Sequence, residues 1–101
     1  MNTTNIAATI LLQLGGARRL SAMIGARAFV AGDRSLTVIF AARAKNGANR
    51  FTVTLDESDT YTVSFDRVRG VALKSLGTTD GIYADRLRFA IESATGLYLS
   101  I

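Results

Sequence analysis

The hydrophobic period of this chain changes at Ser35, and that change limits the possible folds more than any other feature. In SLTVIFAAR, residues 35–43, Leu36, Val38 and Phe40 fall on one side of an extended chain. In RFTVTL, Phe51, Val53 and Leu55 do the same, with Thr52 and Thr54 opposite. In TYTVSF, Tyr61, Val63 and Phe65 alternate with Thr62 and Ser64. A period of two, apolar on one face and hydroxylic on the other, is the signature of antiparallel strands with one wet face. The links suit a meander: AKNGAN holds an Asn-Gly turn signal, and DESD is a short acidic turn. A fourth strand is predicted at VALKSL, 71–76, after the break at Gly70.

Before Ser35 the apolar spacing is helical. Ile6, Ala7, Ile10, Leu11 and Leu14 share a face, Thr4 or Asn5 can cap the start, and Gly15-Gly16 stops the helix. Residues 17–30 fit either period. Leu20, Met23 and Ile24 would share one face of a short helix, but RLSAMI also alternates loosely and Gly25 limits either element. A short strand or irregular segment is expected there. At the other end Thr79 or Asp80 can cap a helix whose stripe is Tyr83, Leu87, Ile91 and Ala94, ended by Gly96. The short apolar tail LYLSI is expected to pack on the domain or add to a sheet edge. The expectation is a single α+β domain over residues 1–101. It has a three- to four-stranded antiparallel meander with an N-terminal and a C-terminal helix packed on one face.

Composition removes whole classes of chemistry. The chain has no Cys and no His, so disulfides, thiolate nucleophiles, Cys-His pairs and Ser-His-Asp triads are excluded. The commonest transition-metal ligands are missing as well. Asp56, Glu57 and Asp59 cluster in one turn, but without the spacing of a calcium loop. The expectation is a non-enzymatic protein without a metal or cofactor. The run IAATILLQL has no preceding Lys or Arg and is broken by Gln13, so neither a secretory signal nor a membrane span is expected. The expected compartment is a bacterial cytoplasm.

Charge is the remaining functional signal. The net charge is +4, and residues 1–50 hold seven basic side chains against the single acid Asp33. Residues 51–101 hold five basic and seven acidic side chains. Ten of the twelve basic residues are Arg, a bias that a GC-rich genome would also produce. The asymmetry suggests a basic surface for nucleic acid or an acidic partner, with Arg18, Arg19, Arg27, Arg43, Lys45 and Arg50 as the candidate contacts. The stretch LGGARRLSAMIGARAF places arginines after a glycine pair, but no Gly-Lys-Ser/Thr follows, so it is no P-loop. Phe40, Phe51, Tyr61 and Phe65 fall on the face that helices must cover. They are expected in the core rather than on a base-stacking platform.

LLQLGGARRLSAMIGARAF, YTVSF and GIYADRLRFAIESATGLYLS together resemble a family of small proteins from bacteriophages, prophages and related mobile elements. The family pattern runs from Leu-Gly-Gly and Met-Thr-Gly-Ala-Lys through Tyr-x-Val-x-Phe to Gly-Val-Tyr-x-Asp-x-Leu and Thr-Gly-Leu-Tyr. The resemblance spans Leu11 to Leu99. It departs at Leu20 and Ile24, where the family carries an aromatic and a threonine, and at Arg27, which replaces a lysine. It implies provenance and brings no catalytic residues. Two functions follow as expectations: nucleic-acid binding through the basic N-terminal half, or inhibition of a host defence complex such as a CRISPR effector by direct contact. Self-association as a homodimer is a further expectation.

Overall fold

In the computed structural model, which describes residues 4–99 and side chains from Ile6 onward, two helices precede a five-stranded sheet and a third follows it. The elements are α1 (Thr4–Gln13), α2 (Ala17–Ile24), β1 (Ala26–Ala31), β2 (Ser35–Phe40), β3 (Arg50–Leu55), β4 (Tyr61–Arg69), β5 (Ala72–Ile82), one 3₁₀ turn (Ala84–Arg86) and α3 (Leu87–Thr95). The sheet order is β1-β2-β3-β4-β5, and every neighbouring pair is antiparallel. The chain is therefore α+β with a meander, as the alternating pattern requires, but with five strands rather than three or four. The capping role expected of Thr4 or Asn5 lies outside the described side chains.

Gly15 and Gly16 end α1 and also begin α2. Both adopt positive φ, and the Gly16 N–H donates back to the Leu11 carbonyl at 2.9 Å while the Gly16 carbonyl accepts from Leu20 at 3.1 Å. The chain thus turns into a second helix, not into the sheet. The strand or irregular segment expected over 17–30 is corrected to a helix, then Gly25, then a strand. Amphipathicity decides it: Leu20 and Ile24, four apart, are fully buried, while Arg18, Arg19, Ser21 and Ala22 face solvent. Gly25 caps α2 in the left-handed conformation, φ 67°, and a Cβ there would lie 3.2 Å from Ala41 Cβ. Only glycine meets both demands without strain.

One apolar core joins the helices to a single face of the sheet. Ile10 and Leu14 of α1, Leu20 and Ile24 of α2, and Leu87 and Ile91 of α3 pack with Leu36, Val38, Phe40, Phe51, Val53, Tyr61, Val63 and Phe65. The four strand aromatics are accordingly core residues. Thr37, Thr52, Thr54, Thr62 and Ser64 form the other face, with Thr37 and Thr52 hydroxyls 3.0 Å apart across β2 and β3. Leu99 of the tail is fully buried, and its N–H donates to Glu92 Oε2 at 2.9 Å, so residues 97–99 pack on the domain without joining a strand, and the last two residues lie outside the described ones.

Several boundaries differ from expectation, among them that of β4, which was expected over 60–65 and runs from Tyr61 to Arg69. The strand beginning at Ser35, expected over 35–43, is β2 and ends at Phe40, and residues 41–49 form a longer connection. The strand expected over 71–76 runs instead from Ala72 to Ile82, so Thr79 and Asp80 lie within β5 and do not cap a helix. Tyr83 precedes the 3₁₀ turn and is exposed, so it does not belong to the α3 stripe. Pairing with β4 overrode the local capping signal: Val63 pairs with Thr79 and Tyr61 with Ile82. Among the described residues, no helix is long and apolar enough to cross a membrane.

Candidate nucleic-acid interface

The connection 41–49 is the structural centre of the basic surface, because it is tied at both ends. Ala41 and Ala42 N–H groups donate to the Gly25 and Ile24 carbonyls at 3.0 Å, meeting the end of α2. At the other end Asn49 reaches β4 just where β3 has not yet begun. Its side-chain amide donates to the Val68 carbonyl and its side-chain oxygen accepts from the Val68 N–H, both at 2.8 Å. The Asn49 N–H donates to the Asp66 carbonyl at 3.1 Å. One side chain thus stands in for a missing rung of the ladder. Between these anchors, a turn from Ala44 to Gly47 is closed by a 3.0 Å backbone bond and by the Asn46 side chain accepting from Ala48.

This arrangement brings Arg27 of β1, Arg43 of the connection and Arg67 of β4 to the rim of one concavity of about 320 Å³. Its floor is built from Phe40, Ala41, Ala42, Ala44 and Ala48 together with Gly47 and Asn49, and it includes no carboxylate. Arg67 Nη1 donates to the Gly47 carbonyl at 2.9 Å, which holds its guanidinium against the connection. Arg67 also lines a second concavity of about 330 Å³ with Arg69, Ala72, Leu73 and Lys74. Five cations therefore form a continuous surface through Arg67. Small alanine floors let a planar or tetrahedral anion approach the guanidinium groups closely.

The other candidate residues are placed elsewhere. Arg18 and Arg19 are exposed on the first turn of α2 and border a concavity of about 500 Å³ with Gly15, Ala22 and Met23. None of these residues belongs to the Arg27–Arg43–Arg67 site. Two cations at a helix N-terminus oppose its dipole, which favours anions nearby without creating a site alone. Lys45 is exposed and packs its stem beside Gly96, while its N–H donates to the Thr95 carbonyl at 2.8 Å. Its charge lies at the favourable C-terminal end of α3.

Arg50 is committed to the fold. It pairs with Asp66 across β3 and β4, with Nη2 and Nε at 3.1 and 3.3 Å from Asp66 Oδ2. The side chains are 29% and 12% exposed, so the pair is partly shielded from water. Arg50→Met is expected to lower stability by about 1–2 kcal/mol by stranding the Asp66 carboxylate, less than the loss of a fully buried pair. Urea unfolding checks this, and nucleic-acid affinity should stay within about twofold of the parent if Arg50 serves only the fold.

No family model, curated protein or solved structure shows significant similarity to the chain. The site therefore rests on its own geometry.

Arg67, Arg69 and Lys74 escaped the sequence reading because they lie in the half of the chain with a net negative charge. A narrower window finds them: RVRGVALKSLGTT, 67–79, contains three cations and no acid. Asp66, immediately before it, is paired with Arg50. The acidic turn 56–59 is built locally: Asp56 Oδ2 accepts from the Thr62 hydroxyl at 2.6 Å, and the Asp59 N–H donates to the Asp56 carbonyl at 3.0 Å. Among the described residues, no group of three or more Asp or Glu is placed to hold a metal ion.

Proposed function

We propose that the protein is a non-enzymatic accessory protein of a phage or mobile element that binds nucleic acid through Arg27, Arg43, Arg67, Arg69 and Lys74. The supporting observation is the continuity of these five cations across two adjoining concavities whose linings contain no carboxylate. Arg18 and Arg19 extend the positive field from a separate position and act mainly in steering.

Neutralising phosphates releases counterions, so affinity must fall with salt. For three to five phosphate contacts on duplex DNA, the log–log slope against salt concentration is expected to be about −3 to −4.5. Fluorescence anisotropy with labelled oligonucleotides between low and physiological salt measures it. Arg27→Ser with Arg43→Ser should make the slope shallower by about two. A salt-independent affinity, or no binding at low salt, would overturn the reading.

A second reading is favoured by a different surface. Tyr83 and Phe89 are exposed, and the Arg86 guanidinium lies 6.0 Å from the Phe89 ring centre. Exposed aromatics with an arginine are frequent anchors of protein contacts. They would serve an inhibitor that occludes a host defence complex. In that case Phe89→Ser would abolish co-purification with the host complex while leaving oligonucleotide affinity unchanged.

A further inference from the structure

The second half of the β4–β5 hairpin leaves the core. Up to Phe65 the inward residues of β4 are buried, whereas Arg67 and every residue from Arg69 to Ser75 are exposed. The ladder nonetheless continues, with Arg67 opposite Lys74, Val68 opposite Leu73 and Arg69 opposite Ala72, closed by Gly70 and Val71. The register shifts beside Phe65 and Asp66, whose partners are Gly77 and Ser75. Such a bulge adds twist and re-aims the strands beyond it.

The exposed ribbon has two chemically different aspects. Side chains two apart on one strand, and directly paired across strands, share a face. Arg67, Arg69, Lys74 and Ala72 therefore lie together, and the Arg69 and Lys74 side chains have no hydrogen-bond or ion-pair partner among the described residues. Val71 at the turn is wholly exposed, and Leu73 is more than half exposed. This apolar tip beside solvated cations is not required by the core, and it places an apolar contact and fixed positive charges at the end of one projecting ribbon.

From this we infer that the β4–β5 ribbon is a reading element that enters the major groove of duplex DNA. The inference rests on the nucleic-acid reading above and names the form of nucleic acid. Two strands about 4.8 Å apart fit a groove about 12 Å wide. Three residue pairs and the turn extend the ribbon about 12 Å, more than the groove depth of about 8.5 Å. Arg69 is then placed at base edges, where Arg pairs with guanine, and Val71 meets thymine methyl groups. Arg67, Arg43 and Arg27, further from the tip, meet phosphates. Duplex RNA is disfavoured because its major groove is too narrow for a ribbon. Single strands are disfavoured because the ribbon, residues 66–75, carries no aromatic side chain on which unstacked bases could rest.

The test uses the full chain with a labelled mixed-sequence 20-base-pair DNA duplex, its single strand and the matching RNA duplex, all at low salt. Duplex DNA should bind at least about tenfold more tightly than either alternative. Methyl green, a major-groove ligand, should displace the protein, and netropsin, a minor-groove ligand, should not. Arg69→Ser with Lys74→Ser should weaken duplex binding about tenfold or more while the thermal unfolding midpoint is retained. Displacement by netropsin alone, equal affinity for the three nucleic acids, or wild-type duplex affinity in the folded Arg69→Ser, Lys74→Ser variant would overturn the ribbon. Loss of binding on changing Arg27 and Arg43 alone would then leave the broader reading standing. No binding to any of the three would overturn both. The groove competition needs only the unaltered protein, so it decides even if the double variant fails to fold.

Discussion

Phe51→Ala is expected to leave the protein largely unfolded at moderately elevated temperature. Phe51 is fully buried in the central strand of the sheet, with its ring centre 5.8 Å from that of Phe40 and 6.5 Å from that of Phe65, both tilted. It thus links β2, β3 and β4 on the core face. Removing the ring forfeits its transfer energy and both aromatic contacts, and opens a cavity that three strands cannot easily close. A loss of about 3–5 kcal/mol follows for Phe→Ala at such a site. Domains of this size have a total stability of about 5–15 kcal/mol. The midpoint of thermal unfolding should fall by about 15–30 °C, given the small unfolding entropy of a short chain. Phe51→Leu fills most of the volume and should cost less than half as much. Circular dichroism melts of the two variants make the comparison, and equal melting points would show that the ring is not the keystone of this face.

Asn49→Ala is expected to have the next largest effect, and it acts on the basic surface as well as on stability. The side chain pairs both backbone groups of Val68, so truncation leaves a donor and an acceptor without partners at a half-buried site. Each such loss costs about 1 kcal/mol or more, and together about 2–3 kcal/mol. Asn49→Asp separates the two bonds. The carboxylate still accepts from the Val68 N–H, but it can no longer donate and is pressed against the Val68 carbonyl. Asp is therefore expected to be no better than Ala in urea unfolding, despite being nearly isosteric with Asn. Hydrogen exchange at Val68 should also accelerate in Asn49→Ala relative to the parent. Full stability in either variant would mean that the connection is held by the remaining Arg67–Gly47 and backbone bonds alone.

The parts of the fold that depend on side-chain period were readable in advance, and those that depend on pairing were not. Leu36, Val38, Phe51, Val53, Tyr61 and Val63 announce their buried face by alternation, and all are in the core. Residues 17–24 did not announce a helix because RLSAMI also alternates loosely and Gly25 leaves room for only a short element, although Ala, Arg, Leu and Met are themselves good helix formers. Its identity comes from Leu20 and Ile24 meeting the core. The far half of β5 carried a helix-capping signal at Thr79 and Asp80, which its ladder with β4 overruled. The candidate site was half legible. Arg27 and Arg43 were identified by charge. Arg67, Arg69 and Lys74 were concealed by averaging over a half-chain, and the commitment of Arg50 to Asp66 could only be seen once β3 and β4 were in register.

The sheet keeps its strands in chain order, and this has a kinetic consequence. Each strand finds its partner across a connection of nine residues or fewer, so the loops closed between paired strands during folding are small. The sequence contains no proline, so no slow peptide-bond isomerisation stands between the unfolded and native chains. Refolding should proceed hairpin by hairpin in a single fast phase, quicker than for sheets whose neighbours are distant in sequence. A newly made chain would reach its working form without a waiting step.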